Sequence, residues 1–292
     1  MSRPEAPVAC ARVTARVRRR AARRGDARRL ARLFGLEAAP PETLYENFSL
    51  RVAPGEIVAV VGPSGAGKSV LLRRWARAAG RCRPLATARL ARCRRPAVEA
   101  LRGGSLAERL EVLSRCGLAE AAVLVTPARL LSGGQLARLA LAEAFHTARR
   151  RGGVVLADEF ASCLDALTAR VLCRQVRRLV TRWRIALVLA TPRAELLRWL
   201  RPDRVIVKPL GAPARTLAGA GGVPRPARWG VCRGRIADYD ALGQFHYLAG
   251  RPAAHKRVYV VRPPRRWRRW GGPDVAAVLV VSPPLGCVHG RN

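Results

Sequence analysis

The chain has 292 residues, 49% hydrophobic and 25% charged, which suits a folded chain with one large core or two smaller ones. Fifty-five Lys and Arg against 19 Asp and Glu give a net charge of +36, and only Lys68, Lys208 and Lys256 are lysines, so nearly all of it is arginine. No apolar run approaches the roughly 18 to 20 residues of a membrane span, and no apolar signal-peptide core opens the chain, so any link to a membrane is expected to run through another chain. The eight cysteines are scattered, without a C-x-x-C pair or a histidine at metal-ligand spacing, and read as reduced thiols of a cytoplasmic protein. The arginine excess has two readings: a coding bias towards Arg and Ala, or a surface that draws nucleic acid, anionic lipid and nucleotides at modest salt.

In chain order, residues 9 to 33 are Ala- and Arg-rich with few acids. They read as a basic helix that tracks phosphates or as a solvated arm, and residues 1–33 are assigned to a basic N-terminal arm. "AAPPET" then breaks the chain. "EIVAVV" (56–61) reads as a buried strand, "VLLRRWARAA" (70–79) as a helix, and "VVLA" (154–157) and "IALVLA" (185–190) as further buried strands. Strands alternating with helices predict an α/β domain over 34–208 whose mostly parallel sheet is covered on both faces. The Pro-, Gly- and Ala-rich stretch 209–228 reads as a linker, and 229–292 as a separate piece.

Residues 62–69, "GPSGAGKS", match G-x-x-x-x-G-K-[ST] between a predicted strand and a predicted helix. Gly62, Pro63, Ser64, Gly65, Ala66 and Gly67 let the backbone wrap closely and aim N–H groups at phosphates. Lys68 reaches the β/γ oxygens, and the Ser69 hydroxyl takes a place on Mg²⁺. "VVLADE" then ends a strand on two acids, Asp158 to hold the metal and Glu159 to polarise an attacking water. "LLSGGQLARLALAEAF" (130–145) starts a helix on Ser132, Gly133, Gly134 and Gln135. Alone this is a capped helix after a glycine turn; beside a phosphate loop it is also a seat for an anion.

The motifs "GPSGAGKS", "LSGGQ", "VVLADE" and "ASCLD", in that order, resemble the ABC-type ATPase family. The resemblance implies a P-loop NTPase fold, ATP and Mg²⁺ as cofactors, and an ATP-dependent homodimer. In it Ser132, Gly133, Gly134 and Gln135 face the nucleotide held by the second copy, and Asp165 lies at the seam. Lys68, Glu159 and Ser132 are then the catalytic set, Ser69 and Asp158 hold the metal, and Phe34 stands where the family often stacks an aromatic on adenine. Three departures stand out. The stretch between Lys68 and Ser132 is short for the family and contains no glutamine to sense the γ-phosphate, and Pro192 or Arg193 stands where a histidine usually follows the strand after the acids. The missing glutamine weakens a transporter reading and points to slow hydrolysis.

The tail, "VCRGRIADYDALGQFHYLAGRPAAHKRVYVVRPP…VAAVLVVSPPLG", reads strand, helix and two strands, and resembles the start of a GNAT-type α+β acetyltransferase domain. The family's acetyl-CoA loop is not found, so the piece is expected to be a partial domain; His246 and Tyr247 read as helix-packing residues or catalytic relics. The leading expectation is an ABC-type ATPase that dimerises on ATP. The alternatives are a nucleic-acid clamp switched by ATP and the ATP-binding subunit of a transporter, paired with a membrane subunit.

Overall fold

The computed structural model describes residues 8–17, 24–33, 42–219, 230–243, 255–263 and 274–282. Its contacts divide the chain into two units, one of Met1–Arg16 with Thr43–Val223 and one of Val17–Glu42 with Pro224–Asn292.

The first unit opens on strand β1 (Ala9–Val17), where the sequence predicts a basic helix or a solvated arm. Beneath the arginines lies a period of two, with Ala9, Val13 and Ala15 buried and Arg12 and Arg16 turned outward. This strand forms a two-stranded sheet with β2 (Glu42–Val52). The basic helix considered for this segment is limited to α1 (Gly25–Leu33), which falls in the other unit.

The strand β3 (Ile57–Val61) is buried at every position, so it needs cover on both faces. It leads through the glycine-rich loop into α2 (Lys68–Ala79) and then β4 (Cys82–Pro84). Short helices α3 (Thr87–Leu90) and α4 (Ala97–Ala100), then α5 (Leu106–Arg115) and α6 (Ala121–Val125), fill the stretch up to the long α7 (Gly133–Arg151). The elements β5 (Val154–Ala157), α8 (Ala166–Trp183), β6 (Ala186–Thr191), α9 (Leu197–Leu200), β7 (Arg204–Val207) and β8 (Arg215–Ala218) complete the unit. Their six-stranded sheet has the order β4-β5-β6-β3-β7-β8, parallel throughout except that β8 runs antiparallel to β7.

Register fixes where the functional loops emerge. Val61 at the end of β3 pairs with Thr191 at the end of β6, and Ala157 at the end of β5 pairs with Leu189. Three strands therefore end at one edge, the place where α/β sheets bind ligands.

The α2 helix lies on the sheet through Leu71, Leu72 and Trp75, in a core cluster that also takes Val13 from β1 and Leu50 from β2. Trp75 is fully buried and its indole N–H donates to the Leu50 carbonyl at 2.8 Å. Trp75→Ala would leave both a cavity and an unpaired carbonyl, and is expected to cost about 3 to 5 kcal/mol. Urea unfolding of the two proteins at matched pH reads the difference, and a loss under about 1 kcal/mol would contradict this packing.

The second unit has its own small core. The strands β9 (Gly230–Arg233), β10 (Arg257–Arg262) and β11 (Ala277–Val281) form an antiparallel sheet in the order β11-β10-β9, with helix α10 (Ile236–Gly243) between β9 and β10 in sequence. Among the described residues Val258, Val260 and Val275 form its buried cluster, with Ile236 and Leu242 of α10 packed against them.

Candidate nucleotide site

The loop from Gly62 to Gly67 joins β3 to α2. Gly67 sits at φ +94° as the N-cap of α2, in the left-handed region, and offers no side-chain cap. The first-turn N–H groups of α2 consequently have neither intrahelical partners nor a capping oxygen, and they carry the positive end of the helix dipole. At Gly62 a Cβ would run into the backbone carbonyl of Lys208 beyond β7, so only glycine lets the loop leave the sheet here.

Lys68 bends back over the loop, its Nζ donating to the carbonyls of Gly62 at 2.9 Å and Pro63 at 2.7 Å. Partial burial lowers its pKa from the usual lysine value, opposed by the charges of Asp158 and Glu159. The Ser69 hydroxyl donates to Asp158 Oδ1 at 3.0 Å, joining α2 to the end of β5, and the same oxygen accepts from the Glu159 N–H at 3.1 Å. Glu159 is exposed and holds φ +50°, which turns the chain sharply away from the strand.

These groups surround a cavity of about 370 Å³ whose wall includes Gly65, Lys68 and Ser69 on one side and Asp158 and Glu159 on the other. A hydroxyl and a carboxylate oxygen meeting at one point are the hard ligands Mg²⁺ takes, with room left for phosphate oxygens and water. The ammonium and the uncapped helix start suit a polyphosphate. The residues present therefore fit Mg·ATP, Ser69 and Asp158 as the metal side and Lys68 with the loop backbone as the phosphate side.

Of the wall residues, Val70, Arg73 and Ser162 are not among those the sequence singles out. Arg73 stands one turn after Ser69 and its Nε donates to the Ser69 carbonyl at 3.1 Å; its spacing of four from Ser69 on a helix was the available signal. Ser162 and Pro192 also line the cavity. Of the two candidates for the histidine's place, Pro192 is the one at the cavity wall, and it has no donor to offer. Phe34 and the pair His246 and Tyr247 lie outside the described residues.

Ser132, Gly133, Gly134 and Gln135 are not part of this cavity wall. Ser132 caps α7 in a reciprocal box: the Gln135 N–H donates to Ser132 Oγ at 3.3 Å, and the Ser132 N–H donates to Gln135 Oε1 at 3.0 Å. The side of Gly133 on which a Cβ would stand is open, whereas Gly134 faces Leu164, whose Cδ2 lies 3.2 Å from where a Cβ would be. Asp165 caps α8, its Oδ1 accepting from the N–H groups of Leu167 and Thr168 at 3.0 and 2.9 Å. Hydrogen bonds from Thr168 are the main cause that lowers its pKa.

A glycine-rich loop between a buried strand and a helix, faced by acids at the end of a parallel strand two places away in the sheet, defines a P-loop nucleotide hydrolase. A family model described as ABC transporter matches residues 45–79, which include this loop. The aliphatic sulfonates import ATP-binding protein SsuB 2 of Mesorhizobium japonicum is 33% identical over 206 residues, covering 65% of this chain and 79% of that protein. The SsuB of Yersinia pestis is 35% identical over 222 residues, covering 68% and 79%. The dimeric bacterial ABC transporter cassette MJ0796 matches in fold with a TM-score of 0.53 at 18% identity, over 72% of this chain and 97% of its own. The chain belongs to the ABC ATP-binding cassette family. As such it is an ATPase, with ATP and Mg²⁺ as its cofactors. Among the described residues no helix is long and apolar enough to cross a membrane.

Proposed function

We propose that this chain works as an ATP-dependent homodimer in which each copy's phosphate loop holds Mg·ATP and the other copy's α7 start closes over it, with hydrolysis slow. The observation that carries this reading is the separation within one chain. The phosphate loop and its acids share a cavity, while the open backbone at Gly133 stands apart from it, an anion seat with no anion its own chain supplies. Lys68 and Glu159 then act on the nucleotide held by their own copy, and Ser132, Gly133, Gly134 and Gln135 complete the site in trans.

The experiment is light scattering on the Glu159→Gln protein, in which hydrolysis is blocked. ATP with Mg²⁺ is expected to double the mass, ADP is not, and Ser132→Arg is expected to keep the chain monomeric in ATP. A monomer at high concentration in saturating ATP would leave Ser132 with its capping role alone.

The relatives' names favour a further assignment, an importer's ATP-binding subunit that docks on a membrane partner. The acetyltransferase-like assignment of 229–292 rests on the sequence resemblance and on the order strand, helix, strand, strand found for β9, α10, β10 and β11.

A further inference from the structure

Beyond β6 the chain places Pro192 and Arg193 side by side, and their side chains part. Pro192 lines the nucleotide cavity; Arg193 turns into the loop between Glu159 and Asp165. Its Nη1 donates to the Ala161 carbonyl at 3.1 Å and to the Leu164 carbonyl at 3.0 Å, and its Nε donates to Glu195 at 2.9 Å. The Arg193 main-chain N–H donates to the hydroxyl of buried Thr191 at 3.1 Å, which fixes the root of the side chain at the sheet edge.

We propose that Arg193 is a positioning residue for ATP hydrolysis, a brace that holds the loop carrying Glu159 at one end and Asp165 at the other. This rests on the ATPase reading of the site. The guanidinium acts through the loop, because among the described residues it hydrogen-bonds to the loop carbonyls and Glu195.

The loop needs such a brace. Glu159 and Ala161 both hold left-handed backbone angles, φ +50° and +58°, which residues with a Cβ keep only where surrounding contacts impose them. The main-chain ties are few: the Phe160 N–H donates to Ala190 of β6 at 2.8 Å, Ser162 to Glu159 at 3.0 Å and Leu164 to Ala161 at 3.3 Å. The Ala161 carbonyl already accepts from the Leu164 N–H, and Nη1 of Arg193 ties it to the Leu164 carbonyl as well. Nη1 serves both carbonyls while Nε serves Glu195, and the single ammonium of a lysine lacks that second, separately placed donor.

Two functional parts hang on the braced loop. Glu159 takes its direction from the first left-handed turn. Gly134, at the α7 start, faces Leu164 and the Cys163 carbonyl, so the place of the open helix end depends on where Leu164 stands. Losing the brace should therefore slow the chemical step while leaving Lys68, Ser69 and the phosphate loop intact.

The test compares full-length wild type with Arg193→Ala, Arg193→Lys and Arg193→Gln by steady-state phosphate release, fluorescent-nucleotide titration and amide hydrogen exchange. Arg193→Ala is expected to lower kcat by roughly 10 to 10²-fold, the scale of a small misplacement of reacting groups, with KM and nucleotide affinity within about twofold. Millimolar guanidinium is expected to restore part of that loss, and Arg193→Lys to remain slow. Exchange at Ser162 and Leu164 should rise about tenfold or more without nucleotide, which tests the brace even if the wild type releases no phosphate and the ATPase reading fails. If Arg193→Ala does not fold, Arg193→Gln, which can still reach one carbonyl, carries the same comparison. Unchanged loop exchange, unchanged kcat in an active protein, or a loss of nucleotide affinity matching the loss of kcat would each overturn the proposal.

Discussion

Lys68→Ala is expected to lower the affinity for Mg·ATP by roughly 10²-fold or more. The polyphosphate would enter a cavity whose wall already holds two carboxylates, Asp158 and Glu159, and Lys68 is the lysine that opposes them there. Its ammonium is held at the loop by the Gly62 and Pro63 carbonyls, so it is in position before nucleotide arrives and loses little freedom on binding. A charged donor facing phosphate oxygens forms the stronger class of hydrogen bond, and truncation to alanine leaves the phosphates beside the two acids without it. The fold should survive, because the core contacts of α2 are made by Leu71, Leu72 and Trp75 on its sheet-facing side. Fluorescent-nucleotide titration of both proteins at one fixed salt concentration gives the ratio. Equal affinities would mean that the loop does not bind phosphate through this residue.

Turnover by the wild-type dimer is expected to lie below about 1 s⁻¹, under the roughly 1 to 10³ s⁻¹ usual for enzymes. Ser69, Asp158 and Lys68 gather the ground-state complex, but Pro192 brings no donor into the cavity from the end of β6, and no glutamine lies between Lys68 and Ser132. One missing preorganised donor typically costs about 10² to 10³ in rate. Arg193 does not make up for it by contact with phosphate, since its guanidinium is engaged with the Ala161 and Leu164 carbonyls. Glu159→Gln removes the carboxylate proposed to polarise the water, and a further fall of about 10² to 10⁴-fold is expected, down to background. Affinity for ATP should hold, because Glu159 is at the cavity wall and outside the phosphate loop. Steady-state phosphate release decides both parts. A wild-type rate above about 1 s⁻¹ that vanishes in Glu159→Gln would show that the site completes its transition state with groups other than these.

Most of the candidate site was legible in the sequence because its parts are local. "GPSGAGKS" is one loop, and its backbone shape follows from where glycine can go and other residues cannot; "VVLADE" is one strand end. Buried strands of parallel sheets also announce themselves, since β3 and β5 are apolar at every position and β6 at every position but Thr191. The N-terminal strand was harder to see: β1 carries its inward face on Ala9, Val13 and Ala15, residues small enough to be lost among arginines. A two-residue period in so weak a contrast is decided by what it packs against, here β2 and α2.

The sequence by itself determined the phosphate loop, the acids that follow β5 and the order of the family's motifs, because each depends on neighbours within a few residues. Only the tertiary structure decided which of Pro192 and Arg193 meets the cavity, that Ser69 and Asp158 share a hydrogen bond, and that the Ser132 start of α7 lies away from the cavity wall. These outcomes turn on strand register and on a side chain's choice between partners far apart in the chain. Arg193 shows the reason: its nearest functional neighbours, Ala161 and Leu164, are brought to it by the pairing of β5 with β6.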